Sequence, residues 1–268
     1  MFYKNISKNA IRYFNLVKNI SNWQLHLAIK FGLSSADPVL FKTRQGIFIE
    51  APRALLAEFR EIFMSECYTR GTRFSLGENP VVVDIGANVG FFSLYALSSL
   101  HATKVISYEP VPTNFRQLER NLRMNSGYNA VCFQKAVAGR SADLLLHYSG
   151  EGYTTAASIC EGGRKNTETI TIPAVSLAGV FEENGLEKCD LLKMDCEGAE
   201  FEIVYNCPRE IMDRIGNIVM EVHNGEGRNN INSLEDYLGT LGFVTKRFPI
   251  HPGSPRLGML MARRKAAE

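Results

Sequence analysis

Apolar runs and polar stretches alternate along the chain and predict buried strands followed by helices. The clearest run, residues 81–85 (VVVDI), is rich in β-branched residues and ends at Gly86. A run of this kind, followed by the long apolar segment FFSLYALSSL, is typical of a buried parallel strand that leads into a helix. Further runs at 104–109 and 130–138 flank a predicted helix. This strand–helix alternation predicts a doubly wound, mostly parallel α/β sheet.

The second half of the chain returns to this alternation after a polar interruption at residues 141–175. The interruption contains two predicted strands, LLLHYS and TETITIPAV, joined by a glycine-rich loop that we expect to be solvated. The alternative is that the loop contacts a ligand through Thr154, Thr155 and Ser158. The last two runs, FVTKRF and GMLMARR, predict an antiparallel hairpin at the end of the sheet.

Residues 1–75 are predicted to form an N-terminal helical extension, and residues 76–268 the sheet domain. Apolar residues recur at three- and four-residue steps near the N-terminus, with basic side chains between them. A helix of this kind packs on its own domain or on a second copy of the chain, or lies on a membrane surface. We expect packing, which makes a homodimer an open alternative, as is a peripheral membrane contact.

Composition narrows the classes of protein that remain. The chain has 268 residues, of which 45% are hydrophobic and 22% charged, and its net charge is +2. This balance gives no electrostatic case for a nucleic-acid partner. The six cysteines lack metal-finger spacing and are expected to be free thiols. We find no run long enough for a transmembrane span and no signal-peptide core, so we expect a cytoplasmic protein.

The turn after the first core strand, DIGANVG, indicates which cofactor binds. A dinucleotide-binding turn needs glycine where Asn88 and Phe91 stand, because its backbone approaches a pyrophosphate. S-Adenosylmethionine has no pyrophosphate and fits such a turn. The next strand ends in Glu109, where a ribose-binding acid would lie. A structural turn with an incidental acid is the alternative interpretation.

Polar residues also end the later strands, and ligands bind at that edge of an open α/β sheet. Glu221 and His223 share one face of their strand, and Asp195 ends a neighbouring one. Two mechanisms remain open. In one, His223 is a general base oriented by Asp195 or Glu221. In the other, these three residues bind a divalent cation such as Mg²⁺.

Four ordered motifs resemble the FkbM family of S-adenosylmethionine-dependent methyltransferases: VVVDIGANVGFFS, ISYEPVPTNFRQLERNL, LLKMDCEGAEFEIV and VMEVH. The resemblance covers about residues 78–223 and departs at Cys196, where a small aliphatic residue is usual. It implies the class I methyltransferase (Rossmann-like) fold, a seven-stranded sheet with a reversed final hairpin. It also implies O-methylation of a sugar, glycan or glycolipid hydroxyl. The alternatives are O-methylation of a natural product and a non-catalytic S-adenosylmethionine-binding partner protein.

The motifs and strand ends together give the predicted site. The predicted cofactor-binding residues are Asp84, Gly86, Asn88, Gly90, Glu109, Pro110, Asn114, Ala136 and Asp195. The predicted catalytic residues are His223, Asp195 and Glu221. The resemblance also matches Glu197, Gly198 and Glu200 to the D-x-E-G-x-E motif, although Glu197 and Glu200 could simply favour a helix N-terminus. We expect acceptor specificity to reside in the N-terminal extension, which matches the family poorly.

Overall fold

The computed structural model describes residues 2–71, 74, 76–149, 152–153, 167–248 and 257–265. Helices α1 to α9 are Phe2–Asn19, Gln24–Lys30, Leu56–Phe63, Phe91–Ser99, Pro112–Arg123, Leu177–Glu183, Glu200–Asn206, Arg209–Met212 and Ile231–Thr240. Strands β1 to β12 are Val39–Lys42, Phe48–Ala51, Val81–Ile85, Lys104–Tyr108, Ala130–Phe133, Ala136–Ala138, Ala142–Ser149, Thr167–Ser176, Cys189–Met194, Ile215–His223, Phe243–Phe248 and Leu257–Arg264.

The central sheet contains seven of the described strands, in the order β11-β12-β10-β9-β3-β4-β5. The five strands from β10 to β5 run parallel to one another. Strand β12 is antiparallel to both β10 and β11. The predicted mostly parallel sheet with an antiparallel terminal hairpin is therefore confirmed.

Two hydrophobic cores lie on the two faces of this sheet. Val82 of β3 belongs to one core, together with Phe59 and Leu94. Its neighbour Val83 belongs to the other, together with Phe201. Successive side chains of a strand point to opposite faces, so a strand covered on both faces needs an unbroken apolar run. This requirement explains why the sequence predicts β3 so clearly.

The N-terminal region packs on the first of these faces. The Phe41 ring of β1 stacks on Phe59 of α3 with centroids 4.2 Å apart, and Phe59 meets Phe91 of α4 edge-on at 6.0 Å. Leu16 and Ile20 are fully buried in the same core. The described part of the region contains helices and the antiparallel β1–β2 hairpin and shares the sheet's core. Its boundary with the sheet domain stays a prediction.

The outward side of α1 keeps apolar side chains exposed. Phe14 is 68% exposed and Ile11 44%, and Phe31 and Leu33 beyond α2 are also exposed. These side chains leave both the homodimer and the peripheral membrane contact as predictions. Among the described residues, no helix is long and apolar enough to cross a membrane.

The prediction of one strand over residues 130–138 is wrong. Strand β5 ends at Phe133, and β6 begins at Ala136 in a separate three-stranded sheet ordered β6-β8-β7. The residues of β6 are buried there, so the apolar run continues although the sheet does not. The predicted ligand contacts Thr154, Thr155 and Ser158 lie outside the described residues.

The ends of β3 and β9 approach each other too closely for a side chain between them. Gly86, just after β3, has a φ of +70°, and a Cβ built on it would lie 1.8 Å from the backbone oxygen of Asp195. Asp195 follows β9, and its N–H donates to the carbonyl oxygen of Ile85 at 3.1 Å. The absence of a side chain at position 86 therefore allows the two strand ends to come this close.

We expect Gly86→Ala to destabilise the protein by several kcal/mol, because it adds a clash with backbone to the cost of a positive φ. Gly185→Ala is the matched control: its φ is +57°, but nothing lies within 4 Å of the added Cβ. The control should lose only about 1 kcal/mol. Thermal unfolding compares the two variants, and equal losses would show that the strand ends can separate.

Candidate active site

A buried lysine connects the ends of the two central strands. Lys193 of β9 has its Nζ 3.1 Å from Asp84 Oδ1, and it donates to the carbonyl oxygen of Gly86 at 2.7 Å. Burial lowers the pKa of Lys193, but the Asp84 and Asp195 carboxylates outweigh burial and leave the pKa raised. The ammonium therefore stays charged beneath the turn. The sequence analysis missed Lys193, although a lysine inside the apolar strand LLKMD was a visible signal.

Both carboxylate oxygens of Asp84 contact other side chains of the protein. One oxygen pairs with Lys193, and the other accepts a hydrogen bond from Ser93 at 2.6 Å. Gly90, another predicted cofactor residue, stands at the start of α4, where a Cβ would lie 2.6 Å from Leu118. Neither residue is among the described residues that line the cofactor cavity. We therefore assign both residues a structural role in the turn.

The other predicted cofactor residues do line one cavity: Gly86, Asn88, Glu109, Pro110, Asn114, Ala136 and Asp195. Glu109 is buried, and its two oxygens accept hydrogen bonds from the N–H groups of Asn88 and Val111 at 2.8 and 2.9 Å. Burial raises the pKa of Glu109 to about 7, although these two bonds oppose the shift. Glu109 therefore titrates near neutrality before a ligand binds.

This cavity fits the chemistry of S-adenosylmethionine. Asn88 Oδ1 is buried there without a hydrogen-bond partner among the described residues, so it can accept a bond from a ligand. Val137 and Leu146 of the small sheet supply apolar wall, which suits an adenine ring. Glu109 would hold the ribose hydroxyls. The bound cofactor would supply an activated methyl group.

His223, at the end of β10, is oriented by a residue other than the predicted ones. Its Nδ1 lies 3.1 Å from Oε1 of the fully buried Glu200. Its Nε2 lies 3.7 Å from Glu197 and 3.9 Å from Glu221. The prediction that Asp195 or Glu221 orients the ring is wrong, because Glu200 makes the short contact.

Glu200 also holds the turn before its own helix. Its carboxylate accepts hydrogen bonds from the N–H groups of Cys196 and Gly198 at 3.0 to 3.2 Å. The helix-N-terminus interpretation of Glu200 is therefore partly correct. The same carboxylate therefore holds both the turn and the imidazole in place.

The charge of His223 follows from this contact. Burial lowers the pKa of the imidazole, but the hydrogen bond to Glu200 and the Glu197 and Asp195 carboxylates outweigh burial and raise the pKa to about 9. The ring therefore carries a proton at neutral pH before ligands bind. The pKa of Glu221 is also raised, to about 7, because burial and the neighbouring Asp195 carboxylate both disfavour its charged form.

Asp195 is held by a residue of the N-terminal region. The Tyr68 hydroxyl donates to Asp195 Oδ2 at 2.8 Å, and the Tyr68 ring packs edge-on against Phe92 at 5.2 Å. Burial and the Asp195 carboxylate raise the pKa of Tyr68, so the phenol keeps its proton and donates. Sequence reasoning missed Tyr68 because the family motifs begin only after it.

Two carboxylates and the imidazole come close enough to hold a cation. Ligand atoms of Asp195, Glu197 and His223 all lie within 4.8 Å of one another. Glu197 thus takes the place of Glu221 in the predicted metal set. Oxygen and imidazole ligands of this kind suit a divalent cation.

A second cavity, of about 800 Å³, adjoins the cofactor cavity and shares Gly86, Asn88, Asp195 and Glu197 with it. It extends from there towards α1, α3 and Tyr68 of the N-terminal region. Two substrates could therefore meet beside Asp195, one from each cavity.

A family comparison identifies the chemistry of this site. Residues 84–245 match the model of the Methyltransferase FkbM domain, which spans the cofactor turn, the D-x-E-G-x-E turn and His223. The chain belongs to the FkbM methyltransferase family. The predicted family, the class I fold and the assignment as an S-adenosylmethionine-dependent methyltransferase are thereby confirmed.

Relatives of this FkbM-family methyltransferase match most of its length. Methyltransferase sdnD of Sordaria araneosa is 28% identical over 236 residues, covering 77% of this chain and 89% of that protein. The 31-O-demethyl-FK506 methyltransferase FkbM of Streptomyces tacrolimicus is 28% identical over 241 residues, covering 78% and 89%. A solved structure, methyltransferase FkbM from Methylobacillus flagellatus, has a TM-score of 0.46 and 13% identity, covering 78% of this chain and 53% of its own.

We expect Tyr68→Phe to lower methyl transfer about tenfold or more, because it removes a hydrogen bond to a charged group but keeps the ring. Calorimetry with S-adenosylhomocysteine should show unchanged affinity, since Tyr68 lies in the second cavity. Tyr95→Phe is the control, because the Tyr95 hydroxyl lies 3.1 Å from Thr69 instead of meeting Asp195. Equal turnover in the two variants would show that Asp195 does not need this contact.

Proposed function

We propose that this enzyme transfers the methyl group of S-adenosylmethionine to a hydroxyl oxygen of a small hydroxylated metabolite. The observation that carries the proposal is the His223–Glu200 pair. Its imidazole lies within 4.8 Å of a carboxylate oxygen of Asp195, which lines both cavities. A sulfonium methyl group is already activated, so the protein has to align the acceptor and remove its proton. An imidazole held by a carboxylate suits that proton transfer.

In the mechanism we favour, His223 Nε2 accepts the hydroxyl proton. Glu200 holds Nδ1, fixes the orientation of the ring and stabilises the imidazolium that forms. Because the pKa of His223 is about 9 in the ligand-free protein, only the unprotonated fraction can act. That fraction grows as the pH rises towards 9, so the rate should rise with it.

A divalent cation is the second route, supported by the proximity of Asp195, Glu197 and His223. Those side chains would hold the ion, and its charge would lower the pKa of an acceptor hydroxyl. Burial and repulsion from Asp195 raise the pKa of Glu221, and the ion would offset the repulsion. In this route the imidazole is a ligand instead of a base.

The first acceptor class is a natural product with a reactive hydroxyl, as the Streptomyces tacrolimicus relative is named for 31-O-demethyl-FK506. A hydroxyl of a sugar, glycan or glycolipid is the second class, supported by the many polar side chains that line the second cavity. We also propose a cytoplasmic location, because the cysteines among the described residues are free thiols. A nucleic-acid acceptor is not expected.

Turnover on a panel of 31-O-demethyl-FK506, other polyketide alcohols, glycosides and glycolipids tests the proposal. We expect S-adenosylhomocysteine release together with a methyl ether product, and a loss of about 100-fold or more in His223→Ala. His147→Ala is the control, since His147 contacts Thr169 and is not among the described residues that line either cavity. Methyl transfer exclusively to nitrogen or carbon acceptors would refute the proposal.

The same assay separates the two routes. If His223 is the base, activity persists in chelator and rises with pH up to about 9. If a cation acts, chelator abolishes turnover and added Mg²⁺ or Mn²⁺ restores it. Full activity of His223→Ala in chelator would contradict both. Thermal unfolding and S-adenosylhomocysteine binding confirm that each variant is folded.

A further inference from the structure

The second cavity is also lined by charged side chains of the N-terminal region. Arg12 of α1 and Glu58 of α3 are two of them, both partly buried. Neither position falls in the part of the chain that matches the family model, which begins at residue 84. Both residues therefore belong to the N-terminal region, which packs on one face of the sheet.

Arg12 and Glu58 each keep a buried polar atom without a partner. Within the described part of the chain, neither Arg12 Nε nor Glu58 Oε2 has a hydrogen-bond partner. A buried polar atom that makes no hydrogen bond is unfavourable. Two such atoms in the wall of one cavity indicate that a bound ligand supplies the missing hydrogen bonds.

The charge of the cavity restricts that ligand. The carboxylates among its described lining are Glu58, Glu61, Asp195, Glu197 and Glu221, whereas the cations are Arg12, Arg70 and Lys193. Lys193 is already paired with Asp84. Carboxylates therefore outnumber cations, and an anionic ligand would be repelled.

We propose that Arg12 and Glu58 form a recognition part of the acceptor site and bind a neutral, polyhydroxylated part of the acceptor. A hydroxyl group both accepts and donates, so neighbouring hydroxyls can accept from Arg12 and donate to Glu58. A phosphate or carboxylate would satisfy Arg12 but not Glu58. The assignment rests on the proposed function, because the reacting hydroxyl is taken to lie near Asp195 in the same cavity.

Binding of small probes tests this assignment without turnover. The probes are methyl α-D-glucopyranoside and myo-inositol, each compared with its phosphate monoester. Saturation-transfer NMR measures their binding to the full chain saturated with S-adenosylhomocysteine. Wild-type protein should bind the neutral probes more tightly than the phosphate esters. Arg12→Met should weaken neutral-probe binding about tenfold, the loss typical of a hydrogen bond to a charged group.

Glu58→Gln gives a different signature. The glutamine oxygen still accepts from a hydroxyl, so neutral-probe binding should fall by no more than about threefold, while phosphate-ester binding should improve as the repulsion is removed. Glu66→Gln is the structural control, because Glu66 pairs with Lys18 outside the described lining of the cavity. It should lower the unfolding temperature without changing probe binding, whereas Arg12→Met should leave the unfolding temperature unchanged.

Three results would overturn the assignment: no binding of neutral probes to wild type, equal binding to Arg12→Met, or tighter binding of the phosphate esters. Its failure is distinguishable from failure of the proposed function. Probe binding that depends on Arg12 but leads to no methyl ether from any acceptor would refute O-methyl transfer alone. Methyl ether formation that is unchanged in Arg12→Met would refute the recognition role alone.

Discussion

The buried ion pair between Lys193 and Asp84 is the interaction on which the active site depends. The ammonium also bonds the carbonyl oxygen of Gly86. Burial alone would neutralise such a lysine, so the pair persists because carboxylates surround it. One charged group thus holds the cofactor turn against the strand that leads to Asp195, and the absence of a side chain at Gly86 allows the close approach.

The residues proposed to bind the cofactor and those proposed to act on the acceptor lie on the two sides of this junction. On one side the turn presents Asn88 to the cofactor cavity, and the end of β4 presents Glu109 to it. On the other side Asp195 is fixed by Tyr68, and Glu200 fixes His223. The N-terminal region therefore contributes to the candidate active site, since it supplies both the donor to Asp195 and much of the second cavity.

Sequence patterns predicted the strands of the central sheet because buried parallel strands require continuous apolar runs. They also located Glu109, since a strand end and a glycine turn are local features. Periodicity could not show that residues 130–138 divide between two sheets, because the buried pattern continues across the break.

The contacts that orient Asp195 and His223 could not be predicted from the sequence for a different reason. Tyr68 and Asp195 lie 127 residues apart, and Glu200 and His223 lie 23 apart on different secondary-structure elements. Only the folded chain brings these side chains together. Glu200 had a sufficient local explanation as the first residue of a helix, which concealed its contact with the imidazole.

We infer that the cofactor turn and Asp195 present the methyl donor to the cavity lined by Asp195 and Tyr68. A crystal structure with bound S-adenosylhomocysteine tests it most directly. We expect the ribose to contact Glu109 and the thioether sulfur to face the cavity shared by Asp195 and Tyr68. A sulfur atom facing away from Asp195, or a ligand bound outside the Glu109 cavity, would refute this arrangement.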